Sequence, residues 1–253
     1  MKVGNHTFRL ITFIGMPRSG NHGIIQWMLD SFDSVMFFNN FHLKGNYLDR
    51  PRYLPRIEEH KPAVIIISLE VEDILERLNH QNLNYKDDIK VLLIRDPYNL
   101  YASKRQLATK RKKGWAYADK KVHTFARNWK QYAREWLGDT NYLGDKACIS
   151  YNRWVEDGVY RRGILKHIGA DRWDVPNNKM MTRLPRAVDG KANGGTKLPG
   201  SSFDGFKNKD TANEQAVFER WKHYENTHAM KILREDKELA ELNDRILLST
   251  ECI

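Results

Sequence analysis

The sequence predicts an α/β fold, a doubly wound and mostly parallel sheet in a single domain spanning 1–253. Three observations carry that prediction. Short apolar runs around Leu10–Ile14, Ala63–Ile67, Val91–Ile94 and Ala147–Tyr151 alternate with stretches whose apolar residues recur at helical spacing. The first run passes through a glycine-bounded turn directly into a helix. A chain of 253 residues, 41% hydrophobic, can also bury one large core, and it shows no internal repeat.

The first element, Leu10, Ile11, Phe13 and Ile14, reads as a buried strand. Gly15-Met16-Pro17-Arg18-Ser19-Gly20-Asn21-His22-Gly23 follows, and Ile24, Ile25, Met28, Leu29 and Phe32 then recur with a helical period. Strand, glycine loop and helix form the geometry in which backbone amides and a helix dipole converge on an anion. Gly15 to Gly20 matches the first six positions of the phosphate loop G-x-x-x-x-G-K-[ST], but Asn21 and His22 replace its lysine and hydroxyl. The lysine that reaches terminal phosphates and the hydroxyl that holds Mg²⁺ are therefore missing. Arg18 supplies charge within the loop, and a guanidinium grips an oxyanion bidentately without a metal.

Residues 33–62 read as irregular and aromatic, with Phe37, Phe38, Phe41, His42, Tyr47 and Tyr53, and are open between an acceptor wall and ordinary packing. Ala63–Ile67 is the second strand, ending in Ser68-Leu69-Glu70, before a short amphipathic helix over Val71, Ile74, Leu75 and Leu78. Val91–Ile94 is the third, followed by Arg95-Asp96-Pro97, where Asp96 and Pro97 make a helix N-cap and first turn. Ser103 lies on that helix, eight positions after Arg95 (103 − 95). Ligands of doubly wound sheets bind beyond the carboxyl ends of strands, so Arg18, Glu70 and Arg95 should converge.

The basic run from Lys104 to Lys113 reads first as a solvated face and second as an attractor for an anionic ligand. Val122, Phe125, Trp129, Tyr132 and Trp136 mark a long helix within 117–137 with one apolar, core-facing stripe. A fourth strand ends at Tyr151, and Trp154–Ile168 reads as one helix. Residues 185–210, rich in glycine, proline and asparagine, make a long loop of the kind that serves as a lid or stays unstructured. A helix through Val217, Trp221, Tyr224 and Leu233 and a charged C-terminal helix complete the chain.

Two segments carry a family resemblance. Pro17-Arg18-Ser19-Gly20-Asn21-His22 resembles the 5′-phosphosulfate loop of sulfotransferases that use 3′-phosphoadenylyl sulfate (PAPS), with Arg18 where many members have lysine. Arg95 and Ser103 resemble that family's 3′-phosphate motif, an arginine and a serine at the same separation. The resemblance covers about the first half of the chain. It implies PAPS as donor, 3′,5′-adenosine bisphosphate (PAP) as product and sulfuryl transfer without a metal. By the same resemblance Tyr151 touches the nucleotide, a role open against that of a core tyrosine. Gly200–Lys207, with Ser201, Ser202 and Phe203, loosely resembles the loop closing over the 3′-phosphate and adenine, although its basic pair before a glycine is absent. Glu70 stands where many cytosolic members place a catalytic histidine and other branches a glutamate. His42 is the second candidate base. His22, in the first helical turn, is read either as a donor to the leaving oxygen or as a cap.

Composition narrows the partners. The charge of 42 − 32 = +10 suits a polyanionic ligand such as PAPS. It would equally suit nucleic acid, but the charge is dispersed and no nucleic-acid motif is present. Cys148 and Cys252 are the two cysteines, which fits a reducing, cytoplasmic setting. No stretch approaches the ~20 apolar residues of a membrane span, and the N-terminal apolar run is too short for a signal peptide. The expected acceptor is a small metabolite or carbohydrate bearing a hydroxyl or amine. The rival readings are a phosphate-loop kinase or NTPase, which would require Mg²⁺, and a basic nucleic-acid-binding protein.

Overall fold

The computed structural model describes residues 2–3, 6–39, 54–70, 72–73, 89–110, 121–175 and 222–249. Five strands form one parallel sheet: β3 (Arg9–Gly15), β4 (Val35–Phe38), β5 (Val64–Leu69), β6 (Ile89–Ile94) and β7 (Lys146–Ser150), in the spatial order β4-β5-β3-β6-β7. Ahead of them β1 (Lys2–Val3) and β2 (His6–Thr7) pair as an antiparallel hairpin. Among the described residues the helices are α1 (Asn21–Leu29), α2 (Leu54–His60), α3 (Pro97–Lys110), α4 (Val122–Trp136), α5 (Tyr151–Glu156), α6 (Gly158–His167), α7 (His228–Glu235) and α8 (Lys237–Leu248).

The central strands are apolar on both faces because each face is covered by helices. Successive side chains of a strand point to opposite faces. Leu10 and Ile14 of β3, with Ile65, Leu92 and Cys148, therefore pack with Leu100, Phe125, Trp129, Met230 and Leu242 from α3, α4, α7 and α8. Ile11 and Phe13, with Ile66, Leu93 and Ile149, pack on the other face with Ile24, Met28, Trp154 and Ile164 from α1, α5 and α6. The connection leaving β3 thus runs over one face and that leaving β6 over the other. Such a reversal between neighbouring strands opens a crevice at their carboxyl ends.

The register lines up those ends. Ile14 lies opposite Leu69 of β5, and Gly15 opposite Leu93 of β6. Glu70 consequently emerges beside Gly15, and Arg95 emerges beside the glycine loop.

Several elements differ from their sequence reading. The helix expected through Tyr224 and Leu233 is interrupted at 225–227, where Thr227 takes an extended backbone, and α7 begins only at His228. The region 33–62 contains β4 and α2; Val35-Met36-Phe37-Phe38 is a continuous apolar run on the sheet edge, without the alternation that marks a half-buried strand. Tyr151 opens α5 and does not end β7, because Ser150 caps that helix by accepting from the Arg153 amide. The single helix expected over Trp154–Ile168 is two, since Asp157 adopts an extended backbone and caps α6 through the Tyr160 amide at 2.9 Å. The expected helix over 71–78 falls largely outside the described residues, as do His42, the basic stretch 111–113, the loop 185–210 with Ser201, Ser202 and Phe203, and residues 217–221.

Candidate anion-binding cleft

The loop after β3 is built around two left-handed residues. Gly20 has φ 97° at the N-cap of α1, and Arg18, with a side chain, has φ 80°. A non-glycine residue in that region costs about 1–3 kcal/mol and persists where its surroundings impose it. Loop closure comes from the Ser19 amide donating to Met16 O at 3.1 Å and from Asn21 Nδ2 donating to the same oxygen at 3.1 Å. Ser19 and Asn21 are buried, so both brace the loop from inside. Pro17 occupies the turn between them and β3. Gly20 brings no side-chain acceptor to the N-cap, where serine, threonine or aspartate would fill the amide donors of the first turn. The ring of Tyr151 lies where a Gly20 Cβ would project, so loop and ring can be this close only with glycine.

Arg18, Arg95 and Ser103 meet. Arg18 Nε donates to Ser103 Oγ at 3.2 Å, and Arg95 Nη1 donates to Arg18 O at 3.3 Å. The Arg95 guanidinium also lies 4.7 Å from the centroid of the Tyr151 ring, a cation–π contact. Its residue is only 6% exposed, it forms no salt bridge among the described residues, and its Nε lacks a hydrogen-bond partner there. A guanidinium this buried ordinarily carries a bidentate anion, because the uncompensated charge is costly. Beneath it, Trp129 Nε1 donates to Arg95 O at 2.9 Å and fixes the backbone from which the side chain springs.

The helix carrying Ser103 is started by Asp96, whose Oδ1 accepts from the Asn99 amide at 2.8 Å. Burial pushes the Asp96 carboxyl above its ordinary range, partly opposed by Arg95 and by hydrogen bonds from Asn99 and Asn152. On the other side of the loop, Glu70 follows β5 and its Oε1 stands 3.1 Å from Nε2 of His22 on α1. Farther out, Lys104 of α3 is paired with Glu72, tying the β5 end to the helix that carries Ser103.

Of the residues singled out from sequence, the fold brings together Pro17, Arg18, Ser19, Gly20, Asn21, His22, Glu70, Arg95, Ser103 and Tyr151. Tyr151 is buried between Gly20, Arg95 and Trp154. Trp129 was legible only as part of an apolar stripe; its indole donor to Arg95 O has no local signal, because the two residues are 34 positions apart. Among the described residues no group of three His, Cys, Asp or Glu is placed to hold a metal ion.

No family model and no curated protein matches the sequence. Solved structures do. Mouse sulfotransferase SULT7A1, complexed with PAP, is 13% identical, covering 93% of this chain and 88% of its own, at a TM-score of 0.48. The sulfotransferase domain of the Synechococcus PCC 7002 olefin synthase is 14% identical, covering 99% of both chains at a TM-score of 0.50. The chain has the sulfotransferase fold. Among the described residues no helix is long and apolar enough to cross a membrane.

Proposed function

We propose that this protein is a PAPS-dependent sulfotransferase acting on a hydroxyl or amine of a small-molecule acceptor, a metabolite or a carbohydrate. The observation that carries the reading is the buried Arg95 guanidinium, which forms no salt bridge among the described residues and touches the loop whose Arg18 reaches Ser103. Two cationic groups and a hydroxyl at the ends of β3 and β6 suit a ligand with two phosphates, and the glycine N-cap leaves backbone donors for one of them.

In this reading Arg95 and Ser103 hold the 3′-phosphate, with Tyr151 supporting the guanidinium from its ring face. Pro17, Arg18, Ser19, Gly20, Asn21 and His22 form the loop for the 5′-phosphosulfate. The donor supplies an activated sulfuryl group. Arg18, the loop amides and the α1 N-terminus, with about half a positive charge, offset the charge that grows on the departing phosphate. Glu70 is the base that takes the acceptor's proton. His42 as the alternative base, and Ser201, Ser202 and Phe203 on the adenine side, belong to the proposal on sequence grounds alone. The proposal treats 1–253 as one sulfotransferase-like domain working in the cytoplasm, as the two-cysteine composition suggests. Asn21 and His22 in place of the lysine and hydroxyl of a phosphate-loop kinase favour transfer without Mg²⁺.

The test is incubation with ³⁵S-labelled PAPS and a panel of hydroxyl and amine acceptors, with EDTA and with Mg²⁺. The expected result is label on an acceptor, at equal rates in both. ATP consumption that requires Mg²⁺, with no sulfuryl transfer, would replace this reading with the kinase one.

A further inference from the structure

We infer that Asn21 is a positioning residue that sets how tightly the loop holds the 5′ end of a nucleotide, and that position 15 is glycine because the Asn21 side chain fills the space beside it. The inference rests on the nucleotide reading above and deepens it: the Asn21 side chain acts on the loop and not on the ligand.

In the phosphate loop G-x-x-x-x-G-K-[ST], the residue at the position of Asn21 is the lysine that reaches a terminal phosphate. Here that position turns inward. Asn21 is only 3% exposed, and its Nδ2 donates to Met16 O at 3.1 Å. The Ser19 amide donates to the same oxygen at 3.1 Å, so one carbonyl gathers the middle and the far end of the loop. Asn21 Oδ1 is buried and has no hydrogen-bond partner among the described residues. Leaving that oxygen unmatched is costly, and the bond made by the nitrogen of the same amide is what keeps the side chain there.

Gly15 is the other half of the arrangement. It is the last residue of β3, opposite Leu93 of β6, and its φ lies outside the left-handed region. Backbone conformation therefore does not demand glycine there, and glycine weakens a strand unless something must approach it closely. The close approach is made by Asn21. A Cβ at position 15 would lie 2.4 Å from Asn21 Oδ1 and 3.2 Å from Asn21 Cγ, with Leu93 Cβ at 3.3 Å. The first distance is well inside van der Waals contact, so the Asn21 amide would have to swing away, and its nitrogen would leave Met16 O with it.

Arg18 makes this brace matter for binding. It lies between Met16 and Asn21, inside the span that the bond closes, and its φ of 80° persists only where the surroundings impose it. With the bond gone the strained residue can relax, and its guanidinium and the loop amides lose their fixed positions. Preorganised donors of that kind are what a phosphate group at the start of α1 requires.

The test is a double-variant cycle on the full chain, read by calorimetry and by melting temperature. PAP, adenosine 5′-phosphate and adenosine 3′-phosphate are titrated into wild type, Asn21→Ala, Gly15→Ala and the double variant. Asn21→Ala should weaken PAP and adenosine 5′-phosphate about three- to tenfold, the loss expected for one hydrogen bond. Adenosine 3′-phosphate should bind it as it binds wild type, because Trp129 holds the Arg95 backbone independently of the loop. Gly15→Ala should reproduce that pattern, and the double variant should lose little more than either, in affinity and in melting temperature. Losses that add overturn the pair. An Asn21→Ala protein that binds PAP like wild type, or that weakens all three nucleotides alike, overturns the positioning role. If Gly15→Ala alone fails to fold, the double variant must fold, because the overlap is gone; its failure too overturns the pair. Failure of wild type to bind PAP defeats the nucleotide reading itself, and the melting-temperature cycle then still decides whether Asn21 and Gly15 are coupled.

Discussion

Arg95 shows how far a single side chain can be read from its neighbours. Its position after a strand, eight residues before Ser103, was legible in the sequence; its stacking on Tyr151 and its grip on Arg18 O were not, because those contacts span 56 and 77 positions. Arg95→Ala should weaken PAP binding by at least tenfold in calorimetry, since a charge-assisted contact contributes about 1.5–3 kcal/mol. Glu70→Gln should lower kcat by ~10²–10⁴ in the labelled-PAPS assay while PAP affinity stays near that of wild type. Turnover equal to wild type would remove Glu70 from the chemistry. Gly20→Ala adds both strain at φ 97° and overlap with the Tyr151 ring, so it should lower the melting temperature and PAP affinity together. A fully stable Gly20→Ala would contradict the described loop.

Among elements, strands β3, β5, β6 and β7 and the helices α1, α3 and α4 were predictable from apolar runs of four or five residues separated by helical periods. What escaped was set by tertiary context. β4 is a four-residue edge strand whose identity comes from its pairing with β5, and the break between α5 and α6 comes from one aspartate that caps where a longer helix was equally permitted by periodicity. Capping also ties the last helix to the core. Asp236 Oδ1 accepts from the Leu239 amide at 3.0 Å, and its carboxylate pairs with Lys130 of α4. Asp236→Ala should therefore destabilise the protein by about 1 kcal/mol, read from urea unfolding, with PAP affinity unchanged because its partners Leu239 and Lys130 are outside the glycine loop and the Arg95–Ser103 pair.

For the molecule as a whole, stability should depend on acid through one buried network. Glu135 of α4 accepts from Lys146 Nζ at 2.8 Å, Thr140 Oγ1 at 2.7 Å and the amides of Tyr142 and Leu143 at 3.0 Å each. Burial pushes its carboxyl up, and these four partners outweigh burial and hold it below the ordinary carboxylate range. A carboxyl depressed in the fold stabilises the protein above its unfolded value, and that contribution disappears as pH falls through the depressed one. Thermal unfolding of wild type should thus lose more stability than Glu135→Gln between neutral and strongly acidic pH. Parallel curves would show that Glu135 contributes nothing to the dependence. The fold class itself was readable because alternating strands and helices leave few other solutions. The cleft was readable only in outline, since its sides come from separate strand ends joined by the register of the sheet.

The proposed function requires two anion-binding groups in one cleft, Arg18 with the loop and Arg95 with Ser103. Calorimetric titration with PAP, adenosine 5′-phosphate and adenosine 3′-phosphate, on wild type and Arg95→Ala, tests that arrangement directly. Wild type should bind PAP more tightly than either monophosphate, and Arg95→Ala should erase the advantage of PAP over adenosine 5′-phosphate. Equal affinity of wild type for all three, or an Arg95→Ala protein that still prefers PAP, would contradict it.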